Sequence, residues 1–376
     1  MSSATTSGYK VPFVNPREHF RRYRKELESA LVDTVAAGDL VMRQQLRDFE
    51  QHLAEFVGVR YAVGVNSGYH ALHLSMLAAG LGPGDEVIVP AHTFVATISA
   101  IVHCGATPVL AEVGDDYNLD LDDFKRKITP RTRGVVPVHL NGRICEMGGV
   151  MKIAEANGLK VIEDAAQSLG ATFEGRGAGS FGLTGCFSFY PFKILGCFGD
   201  GGAVTTNDAA VARMVTLLRY NGEDRETGEY HYHGYTALLD NLQAAVLDVK
   251  LRHLPAWIEH RRCVADRFRA GLQGVGDLRL PHADDPRFFD VYQNYVIRTA
   301  RRNALRVHLT ERGVETLVHW SKPVWQHAAL QLADPHLPNT EAICRDVISL
   351  PMSAETTDDD VDDTVEAIRG FFRPTQ

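Results

Sequence analysis

The 376-residue sequence predicts an α/β fold, with a mostly parallel sheet covered by helices on both faces and a smaller C-terminal α+β unit after it. Three observations lead there. Short β-rich runs alternate with helical stretches from about residue 60 to 205. Turn-forming segments, GLGPGDE around Pro83 and TPRTR around Pro130, mark breaks between them. After Asn207 the alternation stops, and a long helical pattern gives way to a mixture of strands and helices.

In chain order, residues 15–57 read as largely helical. Strands come next at YAVGV (from Tyr61), EVIVP (Glu86), TPVLAEV (Thr107), GVVPV (Gly134) and LKVIED (Leu159), each rich in β-branched residues. Helices between them begin near Tyr69, Thr93, Leu121 and Met147. A helix to about residue 220 leads into a polar Gly- and Tyr-rich loop, NGEDRETGEYHYHGY. A long helix from Leu238 to Leu272 should break or kink near Pro255, where a backbone donor is missing. DVYQNYVIR and GVETLVHW read as strands of the smaller unit, and TTDDDVDD as the acidic opening turn of a last helix. The boundary is placed inside the long helix: 1–255 a large domain with a helical N-terminal segment, 256–376 a small α+β domain.

Composition removes several classes of function. A formal charge of −8, spread thinly, leaves no basic face for nucleic acid. No apolar run approaches the roughly 20 residues needed to span a bilayer. MSSATTSGYK carries neither a signal-peptide core nor an Arg-rich transit pattern. Six cysteines at 104, 145, 186, 197, 263 and 344 form no Cys-x-x-Cys pair, so they read as reduced core residues of a cytoplasmic protein. No metal is expected, because His231 and His233 in HYHG lack a third ligand nearby. Gly177, Gly179 and Gly182 spell G-x-G-x-x-G, but the residues after them, LTGCFSFY, are rich in β-formers, so this reads as a glycine-rich loop rather than a dinucleotide site.

The residues that carry chemistry lie elsewhere. SFYPFKILGCFGDGGAVTTND places one lysine, Lys193, between an aromatic run and a glycine-rich string, where an amine held from water can serve as a nucleophile. LKVIED delivers Glu163 and Asp164 at a strand's carboxyl end, where open α/β sheets bind ligands, and strand alternation lets only one face a site. VGVNSGYHALHL runs from a strand through Ser67 and Gly68 into a helix, which makes either an ordinary N-cap or an anion site. Ser188 adds a hydroxyl five residues before the lysine. An anion cradle, a carboxylate and an amine nucleophile together describe a site for pyridoxal 5′-phosphate (PLP).

The order SGY, TFVAT, VIEDAAQS, SFYPFKILGCFGDGGAVTTND, LLDNLQAA resembles the DegT/StrS-type sugar aminotransferases, a branch of the fold-type I PLP enzymes, over nearly the whole chain. The resemblance implies a seven-stranded large domain with a small C-terminal one. It implies that Lys193 is the Schiff-base lysine, Asp164 the partner of the pyridine nitrogen, Gln167 a neighbour of the ring and its phenolic oxygen, and Phe94 the aromatic stacked on the ring. Ser67, Gly68, the Tyr69 backbone and Ser188 would form the phosphate cradle. Family members are dimers with shared sites, so the loop at 221–236, with Thr236, would reach the partner's site.

Two departures stand out. The family's usual Ser-Gly-Thr is Ser67-Gly68-Tyr69 here, and its GYNSRLD is replaced by Gly234 to Asp240, with Thr236 for Asn and Leu238 for Arg. The expected activity is transfer of an amino group from glutamate or glutamine to a keto sugar, with a nucleotide as its expected carrier, for a surface polysaccharide or secondary metabolite. Alternatives are a PLP-dependent sugar dehydratase, disfavoured because the related dehydratases carry histidine at the lysine, and a regulatory PLP-binding protein. Tyr190, His319, Trp320 and Lys322 are candidate substrate contacts or packing residues.

Overall fold

The computed structural model describes residues 8–282 and 285–373; most of MSSATTSGYK lies outside them. Seven strands form the central sheet: β1 (Tyr61–Val65), β2 (Glu86–Pro90), β3 (Thr107–Ala111), β4 (Thr132–Val135), β5 (Lys160–Asp164), β6 (Thr184–Ser188) and β7 (Gly202–Thr206). Their order is β1-β7-β6-β5-β4-β2-β3, and β7 alone runs against its neighbours. Helices α1 (Pro16–Ala36), α2 (Gln44–Val57), α3 (Gly68–Ala78), α4 (Val95–His103), α5 (Leu121–Arg126), α6 (Met147–Ala156) and α7 (Ala209–Leu218) occur where the sequence reading placed helical stretches. The sheet separates two apolar cores, one containing Phe49, Ile88, Val161 and Phe187, the other Val63, Val87, Ile162 and Cys186. Neighbouring residues of one strand thus feed opposite faces, as the pleat requires.

That alternation decides between the two acids of LKVIED. Glu163 turns inward and is fully buried. Its carboxylate accepts the N–H groups of Gly179 (2.9 Å), Phe181 (2.7 Å) and Gly182 (2.7 Å), and its Oε2 lies 2.9 Å from His139 Nε2. The G-x-G-x-x-G loop is therefore wrapped round an internal carboxylate. Glu163→Ala should cost at least about 3 kcal/mol, because several buried donors lose their acceptor together. Denaturant unfolding at unchanged m checks this; a loss under about 1 kcal/mol would contradict it.

The long helix α8 (Asn241–Leu272) is continuous through Pro255, so of the expected break or kink there is no break. Buried Leu251, Leu254, Trp257 and Ile258 pin it on either side of the proline, and this packing outweighs one lost backbone bond. Its first part joins the large core, and its end, from Val264 to Leu272, joins a separate core with Tyr295, Ile297, Leu305, Ile348 and Ile368. There the antiparallel pair Tyr295–Arg298 and Val347–Leu350 packs with α9 (Arg302–Glu311), α10 (Pro338–Asp346) and α11 (Asp358–Phe372). Thr357 and Asp360 cap α11 reciprocally, in keeping with its acidic opening turn.

Three further expectations need correction. GVETLVHW forms no strand: Val314 and Leu317 make only isolated bridges, to Val11 and Ser349. The loop after Asn221 contains a short hairpin, Glu223–Asp224 with Glu229–Tyr230. Cys263 is exposed on α8, whereas the other five cysteines are buried; all six are free.

Candidate active site

The carboxyl ends of β1, β2, β5 and β6 open on one edge of the sheet, where ligands of such folds bind. Val65, Gly202 and Ser188 lie side by side across β1, β7 and β6, and Asp164 pairs with Cys186 one strand further on. Backbone approach here is tight. A methyl group at Gly202 would stand 2.4 Å from the Ser67 carbonyl, and one at Gly68 would stand 2.6 Å from Ser188 Cβ. Only hydrogen fits at these positions, and it brings Ser67, Gly68 and Ser188 together at the start of α3.

Ser67 caps α3 by accepting the His70 N–H at 3.1 Å. The N–H groups of Gly68 and Tyr69 have no partner among the described residues, which leaves two donors at the positive end of the helix dipole. The Tyr69 side chain turns away toward α4: its hydroxyl meets His103 Nδ1 at 2.6 Å, and its ring stacks on His73. The Ser67 N-cap is thus present, and the two free donors beside it are the geometry that an anion site would use.

Asp164 ends β5 with its carboxylate buried. Its Oδ2 accepts from the Thr97 hydroxyl at 2.8 Å and its Oδ1 from the Ala166 N–H at 3.2 Å. Burial pushes the carboxyl up from its usual range, while Thr97, the Ala166 N–H and nearby Lys193 pull it back. Lys193 lies in the turn after β6 and is half-buried. Burial pulls its amine below the usual lysine range and Asp164 opposes that shift. Among the described residues Nζ has no hydrogen-bond or ion-pair partner, which is unusual for a lysine drawn in from solvent.

The other candidates have the following surroundings. Gln167 Oε1 accepts the Asn141 N–H at 2.8 Å and lies 3.5 Å from Asn294 Nδ2. Phe94, the residue before α4, is 47 % exposed, unusual for a large apolar side chain. His319 Nδ1 is 2.9 Å from Ser349 Oγ, and burial followed by Lys193 pulls this imidazole down to about 4, so it is neutral near pH 7. Trp320, at φ +54°, sets its ring edge-on to buried His92. Tyr190 is 40 % exposed, edge-on to Phe192. Lys322 is exposed. Thr236 stands apart, exposed and bonded through its hydroxyl to Asn221 Oδ1 at 3.1 Å.

Sequence reasoning misses the supporting residues. Thr97, which holds Asp164, sits three positions after Phe94 and so on the same side of α4. Gln293 and Asn294, which hold the lysine turn and Gln167, lie within a run that the sequence presents as a strand. Two adjacent amides interrupting that apolar run are the available signal.

The arrangement offers two free N–H groups, a buried carboxylate, an exposed aromatic residue and an unpartnered amine near the carboxyl edge of the sheet, where a cleft for a ligand would lie. Similar proteins are known. The chain is 40 % identical over 347 residues to the dTDP-3-amino-3,4,6-trideoxy-alpha-D-glucose transaminase of Streptomyces venezuelae, covering 91 % of each. Its fold matches that of S. venezuelae DesV, solved in complex with a ketimine intermediate, with a TM-score of 0.94 and 38 % identity over 97 % of this chain and 99 % of that one. It also matches NtdA of Bacillus subtilis, solved with its cofactor PMP, with a TM-score of 0.87 and 29 % identity over 96 % of this chain and 84 % of that one. A single family model spans residues 22–369, from α1 to α11, and takes in every element that builds the cleft: the chain belongs to the DegT/DnrJ/EryC1/StrS aminotransferase family.

Proposed function

We propose that the protein is a PLP-dependent aminotransferase that passes an amino group from glutamate or glutamine to a nucleotide-linked keto sugar, as part of amino-sugar biosynthesis for a surface polysaccharide or secondary metabolite. The observation that carries this reading is the unpartnered Lys193 amine beside the buried Asp164 carboxylate. The names of the transaminases of similar sequence support the substrate class.

The residues present fit the cofactor. The Gly68 and Tyr69 N–H groups and the hydroxyls of Ser67 and Ser188 would hold its phosphate, and Phe94 would cover its ring. Asp164 would face the ring nitrogen, its buried carboxylate acting as counter-charge, and Gln167 would lie near the phenolic oxygen. When bound, PLP supplies an aldehyde for amine capture and a cationic ring that accepts the electron pair left when a substrate carbon loses its proton. Lys193 would hold the cofactor through its amine and, as a free amine, would take a proton from the substrate carbon and return it as general acid–base. Its lowered basicity suits both tasks. His319, whose imidazole feels Lys193, and Trp320 and Tyr190 would be the contacts for the sugar.

We further place the enzyme as a homodimer in the cytoplasm. The 221–236 hairpin, with Tyr230 and Tyr232 largely exposed, would bring Thr236 to the partner's phosphate cradle. Six free cysteines suit a reducing compartment, and no helix among the described residues is long and apolar enough to cross a membrane.

A half-reaction tests the reading. PLP-loaded protein mixed with glutamate, without sugar, should release about one 2-oxoglutarate per site and convert its visible absorbance to that of the amino form of the cofactor. Glutamine should be compared in parallel, and a panel of nucleotide-linked keto sugars should then restore the starting spectrum. Release of no oxo acid from either donor would return the scaffold to a binding or regulatory role.

A further inference from the structure

The lysine turn is held from a distance of a hundred residues. Gln293 lies between the short strand Phe288–Phe289 and the strand Tyr295–Arg298, and it is buried. Its side-chain oxygen accepts the Ile194 N–H at 2.7 Å, and its side-chain nitrogen donates to the Phe192 carbonyl at 2.9 Å. These are the residues on either side of Lys193. One carboxamide therefore bridges the peptides that bracket the amine-bearing residue, while the Lys193 N–H closes the turn on the Tyr190 carbonyl at 2.8 Å.

The bridge itself is fixed. Arg261 Nη1, from α8, donates to the carbonyls of Tyr292 (3.0 Å), Gln293 (3.4 Å) and Met352 (3.2 Å). Tyr292 adopts φ +49°, a conformation that a bulky side chain adopts only when its surroundings impose it. Gly142 packs against this backbone so closely that a methyl group there would lie 2.6 Å from the Tyr292 and Gln293 nitrogens. The next residue, Asn294, reaches Asn141 and Gln167. A single strained segment thus touches the lysine turn on one side and the Gln167 cluster on the other.

We propose that Gln293 is a positioning residue for Lys193: its carboxamide, accepting on one side of the lysine and donating on the other, sets the 192–194 backbone and so the direction in which Nζ projects into the cleft. The proposal rests on the aminotransferase reading above. The task needs a donor and an acceptor on one planar head. A carboxylate would set an oxygen against the Phe192 carbonyl, and methionine offers neither group. A small misdirection of a reacting group costs up to about 100-fold in rate with little effect on binding.

The test compares the wild type, Gln293→Met and Gln293→Glu, all loaded with PLP. Borohydride reduction followed by peptide mass spectrometry reads how much cofactor is fixed on Lys193, and steady-state kinetics across pH read kcat and KM for the amino donor. Gln293→Met should lose about 10- to 100-fold in kcat with donor KM within about twofold, and should label Lys193 more slowly. Gln293→Glu should regain activity in acid. Burial raises a carboxyl pKa, and the protonated acid again donates to Phe192, so its rate relative to wild type should fall as pH rises. Wild-type labelling of Lys193 together with unchanged kcat and labelling in Gln293→Met, or a pH-independent ratio for Gln293→Glu, overturns the positioning role and leaves the aminotransferase reading standing. Should Gln293→Met lack a cooperative thermal transition, the pH ratio of Gln293→Glu decides. Failure of the wild type to label Lys193 removes both readings.

Discussion

Lys193→Ala, reconstituted with PLP, should lose turnover by at least about 10³-fold, since in the proposed mechanism it removes both the amine that captures the cofactor and the general base for the proton transfer. Lys193→Arg should fail as badly. Arginine keeps the positive charge near Asp164 but stays protonated at any working pH, so it can neither attack nor accept a proton. The pair of variants separates a nucleophile from a counter-ion. Were Lys193 only balancing Asp164, arginine would preserve most of the rate.

The structure also names the rival amine that the experiment must rule out. Lys250 is buried on α8, and burial pulls its amine down to about 8. By basicity alone it could capture an aldehyde. Its Nζ, however, donates to the Gly196 carbonyl at 2.6 Å and sits 4.6 Å over the Phe198 ring. It props the glycine-rich string from behind, whereas the Lys193 amine has no such engagement among the described residues. Peptide mapping of the reduced wild-type complex should place the label on Lys193; label on Lys250 with activity surviving in Lys193→Ala would overturn the assignment.

Much of this is legible in the sequence because the relevant signals are local. A β-rich run ending in two acids, a serine and glycine at a strand-to-helix junction, and a lone lysine followed by a glycine-rich string each specify their own neighbourhood. Alternation along β5 even requires that one acid be internal, though which one depends on what packs beyond the strand. The answer comes from residues 179–182, whose N–H groups claim Glu163 and leave Asp164 to the cleft.

What escapes is long-range or marginal. Gln293 acts on residues a hundred positions earlier, and no periodicity encodes such a partner. GVETLVHW has strand composition but lies where only Ser349 and Val11 offer single bridges, so tertiary placement overrides propensity. Pro255 shows the same override in a helix.

Asp164→Asn is the sharper probe of the chemistry because its two expected effects run in opposite directions. The substitution keeps size and shape but removes the buried negative charge. Without it the ring nitrogen loses the counter-charge that keeps it protonated, and turnover should fall about 100- to 1,000-fold, some 3–4 kcal/mol at 1.36 kcal/mol per decade. The Thr97 hydroxyl and the Ala166 N–H, both donors to the present carboxylate, would also meet an amide that can accept through one atom only. Lys193 should respond the other way. Asp164 raises its pKa against the lowering by burial, so losing the carboxylate lets the amine fall further. A larger share is then neutral at a given pH, and capture of PLP by Lys193 should reach half its maximal rate at lower pH than in the wild type. General damage to the cleft would slow capture and turnover together. Easier capture combined with collapsed turnover is what a counter-ion to both groups produces, and an Asn variant turning over within about tenfold of wild type would show that Asp164 serves the fold rather than the reaction.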